Sequence, residues 1–128
     1  MAGKNVPAAE LDVLACLKNI EQGTAREIRE HIEHYRPMTH GSVVNLLKRL
    51  EAKSLVTREK GKVGKAFVYR ATQHAGPVYA NLLSRLLNRV FGGDSLALVA
   101  SLFETKPPDK EQLKQLESLL GQLKKKHT

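Results

Sequence analysis

The feature that most limits how this chain can fold is the order of short-range signals between Thr24 and Ala71. Thr24 is a good N-cap and Glu27, three residues on, completes a capping box, with Ile28 and Ile32 as the apolar rungs of a short helix that stops before Pro37. Thr39 can cap another helix running to Lys53, in which Val43, Leu46, Leu47 and Leu50 form the buried stripe. LVTRE (55–59) and AFVYRA (66–71) then read as strands on either side of KGKVGK (60–65), a hairpin with a longer turn. An earlier helix with Leu11, Leu14, Cys16 and Leu17 at helical spacing precedes them and ends at Gly23. Three helices followed by a hairpin is the order of a winged helix-turn-helix, in which the third helix lies in the DNA major groove and the hairpin touches the backbone alongside.

The second half of the chain reads as helix throughout. VYANLLSRLLNRVF (78–91) ends at Gly92 and Gly93, Asp94 or Ser95 caps SLALVASLFE (95–104), Pro107 and Pro108 break it, and Asp109 caps a last helix bearing Leu113, Leu116, Leu119, Leu120 and Leu123. The expected fold is therefore mainly α with a small β-hairpin wing: a winged helix-turn-helix domain over 6–72, a helical dimerisation region over 73–124, and a frayed tail at 125–128. Three leucine-rich helices over so short a stretch have too little material to bury their own faces, so a second copy of the chain is expected to supply the surface. The candidate dimerisation residues are Leu82, Leu83, Leu86, Leu87, Val90, Phe91, Leu98, Leu102, Leu116 and Leu120. The alternative is that these helices fold back onto their own winged domain.

Charge points the same way as element order. The chain of 128 residues carries a net +8, but residues 1–35 contribute −2, 36–70 contribute +7 and 71–128 contribute +3. A basic stripe confined to the middle third is the footprint of something that meets phosphates, though a solvated basic face has the same composition. On the helix from Thr39, Gly41, Ser42, Asn45 and Lys48 fall opposite the buried stripe. A major-groove helix needs short side chains at its leading end, because bulk there holds the backbone away from the bases. Asn45 can pair in a bidentate way with adenine, Thr39 and Ser42 can bond base edges or phosphates, and Lys48 and Arg49 suit guanine edges or phosphates. The competing reading is that Thr39 and Ser42 only cap the helix and Asn45 is solvated. On the hairpin, Arg58, Lys60, Lys62 and Lys65 gather around Gly61 and Gly64, where they would bind backbone without sequence preference or, alternatively, protect an edge strand from aggregation. Phe67 and Tyr69 share one strand face and are expected to close the core beneath the wing.

Other chemistry finds less support. No nucleophile with a plausible base, phosphate-cradling glycine loop or working carboxylate pair is visible, so no enzyme is expected; Glu10 with Asp12, and Glu30 with Glu33, read as ordinary exposed acidic positions. His31 and His34, three apart on one helix face, lack an obvious third ligand and read as a solvated pair; no metal or other cofactor is expected. The single cysteine, Cys16, cannot form an intramolecular disulfide and reads as a small buried hydrophobe, in keeping with a reducing cytosol. The N-terminal MAGKNVPAAELD lacks an apolar signal core and no stretch of about 18 apolar residues exists, so a cytoplasmic protein without a membrane partner is expected.

The runs ELDVLACLKNIEQGTAREIREHI, THGSVVNLLKRLEAKSLVTRE and GKAFVYRA resemble the penicillinase-repressor family, bacterial winged-helix regulators that bind palindromic operators as homodimers. The resemblance covers about residues 6 to 123 and extends into FGGDSLALVASLFE, which is similar to that family's dimerisation region. It implies that Thr39, Ser42 and Asn45 lie on the DNA-reading helix, where His40 and Gly41 are counted as further DNA-binding candidates, that Arg49 and Leu50 are its recurring Arg-Leu pair, and that Lys65 to Tyr69 lie on the wing. Lys18 stands where that family usually has an aromatic residue, and His40 where a larger one is common, so an operator sequence does not carry over. In β-lactam-responsive relatives an Asn-Phe bond in this helical region is cleaved. The matching bond here is Leu102-Phe103, and the Cys-x-Cys motifs of copper-responsive relatives are missing, so the releasing signal, an inducer or a protease, stays open. The expected function is a repressor that binds a pseudo-palindromic double-stranded operator as a homodimer. The alternative is a winged-helix adaptor for RNA or a protein partner, binding through the same basic surface.

Overall fold

The computed structural model describes residues 6–62, 64 and 66–127. The elements run α1 (Ala8–Ile20), α2 (Ala25–Ile32), α3 (His40–Ala52), β1 (Val56–Lys60), β2 (Phe67–Ala71), α4 (Ala75–Phe91), α5 (Ser95–Thr105) and α6 (Lys110–Lys126). This is the mainly α fold with a hairpin wing that the element order predicts. The chain divides into two compact units, Met1–Leu83 and Ser84–Thr128, with the boundary inside α4.

In the first unit, local chemistry starts and stops each helix. Thr24 and Glu27 make the expected reciprocal box, the Glu27 amide donating to Thr24 Oγ1 at 3.1 Å and the Thr24 amide to Glu27 Oε1 at 2.8 Å. The Thr39 hydroxyl oxygen accepts the Ser42 amide at 3.1 Å, fixing the start of α3. At the other end of α3, Ser54 takes a left-handed conformation (φ 63°), and two bonds satisfy the last carbonyls: Ser54 N–H to Glu51 O at 2.9 Å and Leu55 N–H to Leu50 O at 3.0 Å. That is a Schellman ending with a serine where glycine is usual, and the accompanying hydrophobic contact is supplied by Leu50 and Leu55, both buried.

The three helices share one core. Val13, Leu14 and Leu17 of α1, Ile28 and Ile32 of α2, and Val43, Leu47 and Leu50 of α3 are fully buried together, and Cys16 joins them as the small hydrophobe that its neighbours imply. β1 and β2 pair antiparallel from Val56↔Ala71 to Lys60↔Phe67. Gly23 adds a piece of ladder that its role as a helix stop did not suggest: its amide donates to Tyr69 O at 3.0 Å and its carbonyl accepts from the Tyr69 amide at 2.8 Å. The wing is thereby stitched to the α1–α2 turn, and Tyr69 is buried beneath it. Phe67, expected in the same place, is instead 39% exposed, with the Arg58 guanidinium 4.2 Å from its ring centroid.

Two acidic positions differ from their sequence reading. Glu10 is 2% exposed and Asp12 partly covered, because each meets a cation far along the chain: Glu10 Oε1 accepts from Lys53 Nζ at 2.6 Å, and Asp12 pairs with Arg36. His34 also moves. It lies past the end of α2 at Ile32, in the turn where its ring meets Tyr35 edge-on, so His31 and His34 do not share a helix face. Among the described residues no group of three or more His, Cys, Asp or Glu side chains is placed to hold a metal ion.

α4 starts three residues earlier than its apolar pattern, taking Gly76 and Pro77 into its first turn, where a proline nitrogen has no partner to lose. Tyr79 on this helix donates its hydroxyl to Leu14 O at 2.9 Å, and burial raises its phenol above its ordinary pKa. The Lys18 ammonium sits 4.9 Å from the centre of that ring.

The second unit has capped helices, and none of its described residues is fully buried. Asp94 caps α5 through the Ala97 amide at 3.1 Å, and Asp109 caps α6 through the Gln112 amide at 2.8 Å, with Gln112 reaching back to complete a box. Yet no residue of α5 or α6 is buried. α6 is helical through Lys126, into the segment 125–128 set apart as a tail, and its last turn carries Lys124, Lys125 and Lys126 where cations suit the helix dipole. No single helix among the described residues is long and apolar enough to cross a membrane.

Candidate nucleic-acid interface

The outward face of α3 is built by what its inward face buries. With Val43, Leu47 and Leu50 fixed in the core, His40, Gly41, Ser42, Asn45, Lys48 and Arg49 are all exposed, as their spacing requires. Thr39 serves two purposes there, since its hydroxyl also donates to Ser42 Oγ at 3.0 Å while accepting the Ser42 amide. Capping and an outward polar surface therefore coexist in the same residues. A Cβ placed on Gly41 would meet only Thr39 Oγ1, at 4.0 Å, so packing inside the chain does not call for a glycine here.

A shallow hollow runs along this face, lined by Arg36, Pro37, Met38, Ser42, Asn45 and Arg49, with Ala9 and Leu46 at its edge. It brings Ser42, Asn45 and Arg49 together and adds Arg36, which the sequence reading did not single out although it opens the basic segment three residues before the cap. His40 lies elsewhere, against a second hollow with Arg26, Arg29, Glu30 and Glu33 of the α2 side. The exposed surface at the start of α3 thus has two different flanks, one cationic and one mixed in sign.

The basic segment also divides by partner. Arg36 faces Asp12, Lys53 faces Glu10, Arg58 Nε lies 3.3 Å from Glu51 Oε2, and Arg70 lies 3.7 Å from Glu59 while also bonding Gln22. Among the described residues, Lys48, Arg49, Lys60 and Lys62 have no carboxylate within ion-pair distance. Uncompensated positive charge is what draws phosphates, and it lies on the outer face of α3 and at the end of β1 and the loop after it. Arg58, a candidate on the same hairpin, has its charge partly neutralised and its guanidinium stacked on Phe67. Lys65 lies outside the described residues.

On α4 and the second unit, Leu82, Leu83, Leu86, Val90, Leu102 and Leu120 are exposed, and Leu87, Phe91, Leu98 and Leu116 are half-buried. Exposed apolar side chains in such number are more than a solvated surface ordinarily carries. Leu102 and Phe103 sit within α5, one exposed and the other half-buried.

Comparison with known proteins agrees with this architecture. The family model described as penicillinase repressor matches residues 6–122. A penicillinase repressor from Staphylococcus aureus is 24% identical over 128 residues, covering 98% of this chain and 100% of that protein. Among solved structures, a transcriptional regulator from Thermotoga maritima superposes with a TM-score of 0.56 at 19% identity, covering 93% of this chain and 74% of that one. A cysteine-to-serine mutant of MarR from E. coli, complexed with operator DNA, gives a TM-score of 0.54 at 19% identity, covering 93% of this chain and 76% of that one.

Proposed function

The chain belongs to the penicillinase repressor family, a family of DNA-binding transcriptional regulators and not of enzymes, and from that premise we propose that it is a homodimeric repressor reading a pseudo-palindromic operator with α3. The observation that carries the reading is the outer face of α3. It is small and polar at its leading end, cationic further along, and backed by a fully buried stripe that fixes its orientation. In this reading Asn45, with Ser42 and Thr39, contacts base edges, Lys48 and Arg49 contact bases or phosphates, and Lys60 and Lys62 hold the backbone beside the groove. Residues 6–72 form the DNA-binding part and 73–124 the dimerisation part, whose apolar faces find their cover in a second copy. A two-fold dimer presents two equivalent α3 helices, which requires half-sites one helical turn apart or a multiple of it. A cytoplasmic location goes with a DNA-binding role.

The division of labour can be measured. With a duplex selected from a random-sequence pool, Asn45→Ala weakens binding by about 1–3 kcal/mol and relaxes preference at one base position. Lys62→Ala weakens selected and scrambled duplexes alike and flattens the salt slope by about one unit. Equal behaviour of the two variants contradicts the assignment. Tight binding to single-stranded RNA without protection of any duplex would favour an adaptor instead.

A further inference from the structure

We infer that Glu10 and Asp12 of α1 are positioning residues for DNA reading: two carboxylates, two residues apart, that hold α3 at both of its ends and so set the angle at which its outer face meets the groove. The inference rests on the proposal that α3 reads DNA, and goes beyond it by assigning a role to residues that touch no base. Glu10 reaches the C-terminal end of α3, where Lys53 is the C-cap and its ammonium lies 2.6 Å from Glu10 Oε1. Asp12 reaches the opposite end through Arg36, which sits three residues ahead of the Thr39 cap and whose own amide donates to Ile32 O at 2.8 Å. One element thus grips the segment entering α3 and the residue leaving it.

Three physical points separate this from an incidental pair of surface salt bridges. Glu10 is 2% exposed while Lys53 is 27% exposed, so the carboxylate end of their bond is shielded from solvent and Glu10 has little water to turn to in place of Lys53. Both charges also suit their helix ends, Glu10 in the first turn of α1 and Lys53 at the carboxyl end of α3, so the helix dipoles favour the observed pairing over its reverse. Arg36 lines the same hollow as Ser42, Asn45 and Arg49, so Asp12 fixes a cation beside the reading side chains and removes part of its charge. Apolar packing of α1 on α3 decides which face of α3 turns inward, but it is non-directional and resists a small change of angle less than a directional bond does. Two tethers at opposite ends of a 13-residue helix oppose such rotation.

A carboxylate near bound DNA repels it, so the simple electrostatic expectation for Asp12→Asn is tighter binding to every duplex. Positioning predicts something different: loss of discrimination between selected and scrambled duplex. Because removing Lys53 alone would leave the Glu10 carboxylate buried without this cation, Glu10 and Lys53 are replaced together by methionines, a change that often leaves stability equal or higher. The full-length wild type, Asp12→Asn and the Glu10→Met/Lys53→Met pair are compared by fluorescence titration of a pool-selected duplex and its scrambled counterpart. Thermal unfolding of each protein is followed in parallel. The expected result is a fall of about tenfold in the ratio of the two affinities for each variant, the size of one lost base contact, with the unfolding temperature of the paired variant not reduced. A ratio within twofold of wild type in the paired variant, or a parallel change for both duplexes, overturns the inference. Failure of the wild type itself to prefer the selected duplex would instead strike at the reading of DNA by α3, so the two failures are told apart within one titration set.

Discussion

The two units of this chain answer the same burial problem in opposite ways. In the unit up to Leu83, α1, α2 and α3, of 8 to 13 residues each, meet at a shared interior, and each contributes side chains with no exposed surface. From Ser84 onward, helices that are as well capped and richer in leucine bury nothing completely. Good capping and helix propensity are therefore not what distinguishes them. The difference lies in partners within the chain: α1, α2 and α3 present apolar stripes to one another, while α5 and α6 present theirs to the outside. A unit with its own core can hold side chains to the accuracy that DNA reading demands, and a unit without one is suited to joining two copies.

The largest expected effect breaks this contrast if it fails. Leu47→Ala empties space in a fully buried site and should cost about 2–5 kcal/mol in chemical denaturation, independent of protein concentration. Leu86→Ala removes a side chain that is 45% exposed in the single chain and should instead act on association, so its penalty should appear in sedimentation equilibrium and grow as the protein is diluted. If both penalties proved independent of concentration, the second unit would be stabilised within one chain after all.

A smaller effect sharpens the account of α3. Open space around Gly41 means that Gly41→Ala should raise stability by up to about 1 kcal/mol through helix propensity. Closer approach of the helix to DNA is what the glycine would serve, so the same variant should bind the selected duplex more weakly. Stability and affinity moving in the same direction would show that the residue's size has nothing to do with DNA.

A further effect, confined to alkaline solution, concerns pH. Burial pushes the Cys16 thiol from its ordinary 9.0 up to about 11, so the folded chain keeps the proton that the unfolded chain gives up. The stability this contributes is fully present below about pH 9 and is lost as pH rises toward about 11. Denaturation midpoints measured from pH 8 to 11 should decline, and Cys16→Ala, though less stable throughout, should decline less steeply. An equal slope in both proteins would assign the alkaline loss to other groups, Tyr79 among them, whose phenol is also raised by burial.

Much of the fold was legible because its signals are local. The boxes at Thr24 and Asp109, the cap at Thr39 and the break at Pro107 each act within four residues, and the stripe of Val43, Leu47 and Leu50 follows from helical period alone. What escaped was set by distant partners. Nothing near Glu10 announces burial, because the residue that makes it tolerable is Lys53, 43 positions away. Gly23 reads as a stop signal until Tyr69 supplies the other half of a ladder. Arg58 counts as one more surface cation until Glu51 and Phe67 claim it. The exposed residues on α3 were legible because an outward face is the complement of a buried one, whereas the ion pairs of Glu10 and Asp12 on either side of that helix were not.

A winged unit with a rigid reading helix, doubled by a unit that has no interior of its own, should mark DNA in two places at once. Hydroxyl-radical footprinting on a selected duplex, with full-length protein, tests this most directly. The expected result is two symmetry-related protected half-sites whose centres lie about 10–10.5 base pairs apart or a multiple of it, both lost together in Leu86→Asp. A single asymmetric protected segment, unchanged in that variant, would contradict it.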